Sequence, residues 1–242
     1  MLLLRQAGWE IHCLNLSSGS LGSTVMTVAQ TKAARRREAQ DAAKIMGAAW
    51  HPPFSNDMEI LYSQPAIKKV AAVMREAGPS IVLTHPPQDY MEDHTETCRI
   101  AVSAAFTMGI PNYVSSPQRL PVPHPVTIYH CMPHTLCDPL GRRVSPEAWV
   151  DTTEVIDTKT RALAAHTSQK EWLDATQGMD SYTATMQGYS LELGRESRNF
   201  RHAEGWRRHL HAGFCPAGSD PLADVLGKRY LLNPHYGASV IR

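Results

Sequence analysis

The feature that most constrains this chain is the run Ile81-Val82-Leu83-Thr84, four β-prone residues without charge, set between a Gly78-Pro79 stop and a polar loop. A short apolar run of this kind suits a strand covered on both faces, as happens when helices pack on either side of a parallel sheet. The flanking pattern agrees. Residues 31–46, 65–77 and 95–108 read as helices; Pro65 opens the second, and Gly47 and Gly78-Pro79 stop the first two. Residues 11–16 alternate and end in a Gly/Ser loop (17–23), residues 126–130 form another β-prone run, and a short strand is predicted over 149–151. Helices are predicted around 154–178 and 186–212, the last stopped by Gly213. Helix and strand alternate, so the predicted class is α/β with a mostly parallel sheet. The chain opens inside a helix rather than on a strand, so a first strand is expected to be missing.

Charge and composition exclude several functions. Lys and Arg number 24 against 23 Asp and Glu, a net +1, which lacks the basic surplus of a nucleic-acid binder. The triplet Arg35-Arg36-Arg37 is followed at once by Glu38 and Asp41, the mark of a solvated helix face. No apolar stretch approaches the ~18 residues of a membrane span, and the opening Met-Leu-Leu-Leu-Arg-Gln is too short for a signal-peptide core. Five scattered cysteines, an odd number, argue against a disulfide framework and for a reducing compartment, so a cytoplasmic protein is expected. Twelve histidines point modestly to metal or acid–base chemistry.

The chemistry concentrates after the apolar run. In doubly wound sheets functional groups collect in loops at the carboxyl ends of strands. Leu83-Thr84-His85-Pro86-Pro87-Gln88-Asp89-Tyr90-Met91-Glu92-Asp93-His94 occupies such a place, with two histidines and three acidic groups ahead of a helix. Spacing alone leaves two readings open. Asp93 caps the helix that starts near Thr95, or the cluster is a site.

Thr-His-Pro-Pro-x-Asp-Tyr-x-x-Asp-His between strand and helix resembles the second signature, Asp-x-His-Pro-Asp-His, of the LmbE/PIG-L zinc-dependent de-N-acetylases. Three further stretches are similar to that family in order. These are 14–23 with Arg35-Arg36-Arg37-Glu38, then 150–155 with His166-Thr167-Ser168-Gln169, then Phe200-Arg201-His202-Ala203-Glu204-Gly205-Trp206. The resemblance implies one Rossmann-like three-layer domain over 1–242 and hydrolysis of an N-acetylated sugar or sugar conjugate. It makes His94 a zinc ligand and Asp93 the carboxylate that orients catalytic groups, and it assigns Arg35 and Asp57 to the sugar hydroxyls. A small-molecule sugar conjugate is the implied partner, and a homo-oligomer is left open.

Two departures modify that expectation. The family's first signature, Ala-His-Pro-Asp-Asp-Glu, supplies two of three zinc ligands and the general base, and it is absent; about 25 residues of strand, loop and half-helix would precede Leu2. Met91 stands where the second signature has its first His, an imidazole assigned to the oxyanion or the leaving amine, and a thioether does neither job well. His85, His124, His130, His134 and His166 are the candidate substitutes. The chain as given is therefore expected to hold zinc weakly and to be inactive, with the complete parent as the enzyme. The alternative is a noncatalytic sugar-binding descendant. His130-Cys131-Met132-Pro133-His134-Thr135-Leu136-Cys137 is too crowded to close one zinc tetrahedron, and Gly19-Ser20-Leu21-Gly22 lacks a nucleotide-loop spacing.

Overall fold

A computed structural model describes residues 1–177 and 182–237, and the chain packs as two compact units. The first unit comprises 1–59 and 151–203, the second 60–150 and 204–242. Among the described residues, no helix is long and apolar enough to cross a membrane. All five cysteines are free.

The first unit begins with the short helix α1 (Leu2–Gln6) and strand β1 (His12–Leu14), which pairs in parallel with β2 (Ala49–His51). Helix α2 (Val28–Met46) connects these strands. Thr27 and Gln30 form its capping box, and Gly47, at φ 65°, ends it in the left-handed conformation that glycine reaches without strain. An isolated bridge between Ser17 and Ser55 extends the β1–β2 pairing past the strand ends. Helices α5 (Ile156–Ala164), α6 (Thr167–Gln177) and α7 (Tyr182–Ser197) complete this unit.

The second unit holds a five-stranded sheet in the order β3-β4-β6-β5-β7. Its strands are β3 (Ile81–Thr84), β4 (Thr127–Cys131), β5 (Ala148–Asp151), β6 (Ala203–Arg208) and β7 (Tyr230–Leu232). The pair β3–β4 is parallel, as the α/β pattern predicts; β4–β6 and β5–β7 are antiparallel, so the sheet is mixed. Strand β3 lies at one end of the order, and of its four residues only Val82 is buried. Helices α3 (Gln64–Ala77), α4 (Glu92–Thr107) and α8 (Pro221–Leu226) belong to this unit. Arg75 of α3 is 7 % exposed and donates to the carbonyls of Thr107, Met108, Ile110 and Arg119 at 2.8–3.1 Å. The bonds to Thr107, Met108 and Ile110 satisfy carbonyls at and just past the carboxyl end of α4 and hold the helix whose other end carries His94.

One element differs from its expectation. The helix predicted over 186–212 ends at Ser197; Arg198 adopts φ 58°, and 203–208 is strand β6. Gly205 marks a close approach within this strand. A Cβ at this position would lie 2.7 Å from Met132 Cγ and 2.9 Å from Pro146 Cβ, so the strand passes where only glycine fits. The helix expected around 154–178 is split by a break at residues 165–166, and residue 178 lies outside the described residues.

Candidate functional site

Strand β3 hands the chain to a loop at its carboxyl end, and Pro86 of that loop is fully buried. Proline fixes φ and biases its predecessor to extended backbone, so the Pro86-Pro87 pair carries the chain stiffly away from the strand. It returns through Asp89, whose side chain is only 2 % exposed. The Asp89 carboxylate accepts from Met91 N at 3.2 Å and pairs with His94 Nδ1 at 3.0 Å. Met91 is the N-cap of α4 and gives no side-chain cap, and Glu92 and Asp93 sit in the first turn.

The His85 ring stacks on His94, centroids 4.2 Å apart and planes 8° from parallel, and Tyr90 meets His94 edge-on at 5.7 Å. Burial first, then the neighbouring His94, hold the His85 imidazole down at about 4, against a smaller upward pull from Asp89. For Asp89, burial pushes the carboxyl up, but the bond and charge of His94, the Met91 amide and His85 outweigh it and leave a net lowering. Behind the loop, His130 Nδ1 lies 2.8 Å from the His85 carbonyl, and its Nε2 lies 2.9 Å from His209 Nδ1. A carbonyl only accepts, so His130 carries its proton on Nδ1 and His209 donates to Nε2. Burial is the main cause that keeps His130 down at about 4. Burial likewise pushes the Cys98 thiol up to about 11 and the Cys131 thiol up to about 12, so both stay protonated at neutral pH.

Among the described residues, one group of three His, Cys, Asp or Glu side chains has ligand atoms close enough to share a metal ion: His85, Asp89 and His94, all within 4.8 Å of one another. Two imidazoles and a carboxylate suit a borderline divalent ion such as zinc. No grouping of three forms from the 130–137 histidines and cysteines. Asp93, the carboxylate favoured from sequence, is 6 % exposed but is not one of the three. Asp89, the other carboxylate of the motif, is the one that stands beside His94. Of the candidate substitutes for the imidazole at 91, the structure brings His85 against His94 and places His134 5.7 Å from Tyr90. His124 instead lies against the Pro125 carbonyl, and His166 lines a cleft of the first unit.

Arg35 and Asp57 both belong to that first unit. Arg35 is 8 % exposed; its guanidinium donates to Gln169 Oε1 and, at 2.9 Å, to the Gly22 carbonyl, while Nε finds no partner. Asp57 accepts from Gly19 N at 2.8 Å and Leu21 N at 2.9 Å. Glu38 accepts from Ser168 N and Oγ, both at 2.8 Å, so the His166–Gln169 block is clamped onto α2. A cleft of about 160 Å³ lies here, lined by Asn15, Ser17, Arg35, Trp50 and His166 among others. Asp57→Ala removes the acceptor for two backbone amides. It is expected to cost about 1–2 kcal/mol in urea denaturation; unchanged stability would mean that Asp57 does not hold the loop.

An α/β chain with histidines and a carboxylate gathered after a parallel strand is the class these observations define. The GlcNAc-PI de-N-acetylase (PIG-L) family model matches residues 1–105. Over 172 residues the chain is 28 % identical to the 4-oxalmesaconate hydratase of Pseudomonas putida, covering 68 % of this chain and 64 % of that one. Over 174 residues it is 29 % identical to the diacetylchitobiose deacetylase of Thermococcus kodakarensis, covering 69 % and 61 %. The chain thus spans somewhat less than two thirds of these curated relatives. Among solved structures, the 4-carboxy-2-hydroxymuconate hydratase of Pseudomonas putida KT2440 matches with a TM-score of 0.69 at 25 % identity over 90 % of each chain. The N,N'-diacetylchitobiose deacetylase of Pyrococcus horikoshii has the same fold, with a TM-score of 0.71 at 20 % identity, covering 86 % of this chain and 76 % of that one. The PIG-L family model thus matches the first 105 residues, and the fold is one that these hydratase and deacetylase structures share.

Proposed function

We propose that this protein is a metal-dependent hydrolase that removes the N-acetyl group from an N-acetylated sugar or sugar conjugate. The observation that carries the reading is the convergence of His94 with His85 and Asp89 at the carboxyl end of β3. The similarity to a diacetylchitobiose deacetylase supports the substrate class. Zinc, when bound at His94, supplies a Lewis acid for the acyl oxygen and an acidified water. The chain's own groups do the rest. Tyr90 is protonated, since burial and then Asp89 raise its phenol, and it offers a hydrogen bond beside His94. Asp93, buried in the first turn of α4, orients its neighbours. Arg35 and Asp57 hold the walls of the first unit's cleft, where sugar hydroxyls find polar partners. In the net step, a water oxygen joins the acetyl carbon, the C–N bond breaks, and one proton passes from water to the departing amine.

The test is release of free amine from N-acetylglucosamine conjugates by the full chain, with zinc and with a chelator. Zinc-dependent release is expected, because His85 and Asp89 stand beside His94 where the motif alone implied a single ligand and an inactive chain; release that ignores the chelator would contradict the metal requirement. A second reading is addition of water to a carbon–carbon double bond of an unsaturated oxo-acid, the chemistry named for the Pseudomonas putida relative. Met91 favours it, because hydration has no leaving amine to protonate and does not miss the motif imidazole.

A further inference from the structure

We infer that the cleft of the first unit is a binding site for the carboxylate of a small organic acid, with Arg35, Arg36 and Trp50 as its donors. Neither functional reading gives a charge to what this cleft holds. The sugar-hydroxyl role of Arg35 concerns neutral groups.

Charge decides the class of ligand. Among the described residues that line the cleft, the charged ones are Arg35 and Arg36, and none is a carboxylate. Glu38 and Asp57 act on Arg35 electrostatically, but both lie outside the lining. Their oxygens are already engaged, Glu38 with Ser168 and Asp57 with the Gly19 and Leu21 amides. Arg36 has no such counterpart. Among the described residues it forms no ion pair, and its guanidinium lies over the Trp50 ring, 5.3 Å from the centroid. Roughly one positive charge is therefore left without compensation at the cleft, which suits a monoanion.

The donors agree. Gln169 and the Gly22 carbonyl occupy the two terminal nitrogens of the buried Arg35, and Nε has no partner. Trp50 Nε1 is a second buried N–H without an acceptor. Such orphaned donors are costly, and the oxygens of an anion satisfy them. The Gly/Ser loop closes directly on the arginine: a Cβ at Gly19 would lie 3.0 Å from Arg35 Cγ, and one at Gly22 3.0 Å from its Nη2. The guanidinium is thus held in place before any ligand arrives. Burial, and then Arg35 beside it, lower the His166 imidazole against an opposing pull from Glu38, so His166 contributes a neutral N–H. The walls choose among anions. Ala39, Pro53 and the Trp50 ring give a short carbon stem apolar contact in a cleft of about 160 Å³. A phosphate monoester would bring close to two negative charges where about one is offset.

The experiment is a titration of the full chain with pyruvate, read on the Trp50 indole N–H resonance, which Trp50→Phe identifies by its loss. Pyruvamide serves as the neutral counterpart and inorganic phosphate as the competing anion. Saturable binding of pyruvate is expected, about tenfold or more tighter than pyruvamide, with phosphate the weaker competitor. Arg35 is a buried anchor whose replacement endangers the fold, so the exposed Arg36 carries the test. Arg36→Gln is expected to weaken pyruvate binding about tenfold. Equal binding of pyruvate and pyruvamide, tighter binding of phosphate, or parent-like affinity in Arg36→Gln overturns the inference. So does the absence of any pyruvate-dependent shift. The titration involves no turnover, so a chain that binds pyruvate yet releases no amine contradicts the hydrolase reading alone.

Discussion

Met91→His is expected to raise the rate of amide hydrolysis on the order of 100-fold, because it supplies a donor that a thioether cannot replace. Residue 91 is the N-cap of α4, between Asp89 and His94 in the loop, and its backbone is extended at φ −121° and ψ 126°. Imidazole is accommodated there without strain, and the Met91 amide that holds Asp89 is untouched by the substitution. The side chain is half-buried, so histidine neither fills a packed core nor leaves a cavity. A placed donor near a developing oxyanion is worth about 3–4 kcal/mol, of which a grafted one recovers a part. The measurement is kcat for amine release at saturating zinc. An unchanged kcat would mean that residue 91 serves neither the oxyanion nor the departing amine, and no amine release from parent or variant is the outcome the hydration reading requires.

Gly194→Ala is expected to be the most damaging small substitution in the first unit. Gly194 is buried within α7, and a Cβ there would lie 2.4 Å from the Arg201 carbonyl oxygen and 2.7 Å from its carbon. Both are backbone atoms of the segment that turns from α7 toward β6, so no side-chain rotation relieves the clash. Either the helix or the 200–201 backbone must move, at a cost of about 3 kcal/mol. Thermal unfolding is expected to shift down by several degrees for a unit of this size. A variant that melts with the parent would show that the close approach of α7 to residues 200–201 is not required.

The parts of the fold that carry strong local punctuation were legible in the sequence. Helix α3 and strand β3 lie within a residue of their expected bounds, because Pro65, Gly78-Pro79 and an uncharged apolar run mark them. Strand β2 was not legible. It is three residues long, between Gly47 and Pro52, and only its parallel pairing with β1 defines it. Strand β6 was hidden for another reason. Its polar, charged residues look helical in isolation, and the close approach at Gly205 involves Met132 and Pro146, far away in sequence. The site divides in the same way. The motif marks His94 and Asp93, whereas the pairing of His94 with Asp89 depends on how the loop turns after Pro86, which no local pattern encodes. The charge pattern reads Arg35 as part of a solvated helix face, but Arg35 is buried, because its partners Gln169 and Gly22 are fixed by tertiary packing.

X-ray absorption at the zinc edge, on the full chain loaded with one equivalent, probes the ion's surroundings directly. The expected spectrum has two imidazoles and oxygen donors at about 2.0–2.2 Å, with no sulfur. A single imidazole shell, or a thiolate at about 2.3 Å, would contradict the grouping of His85 and Asp89 with His94.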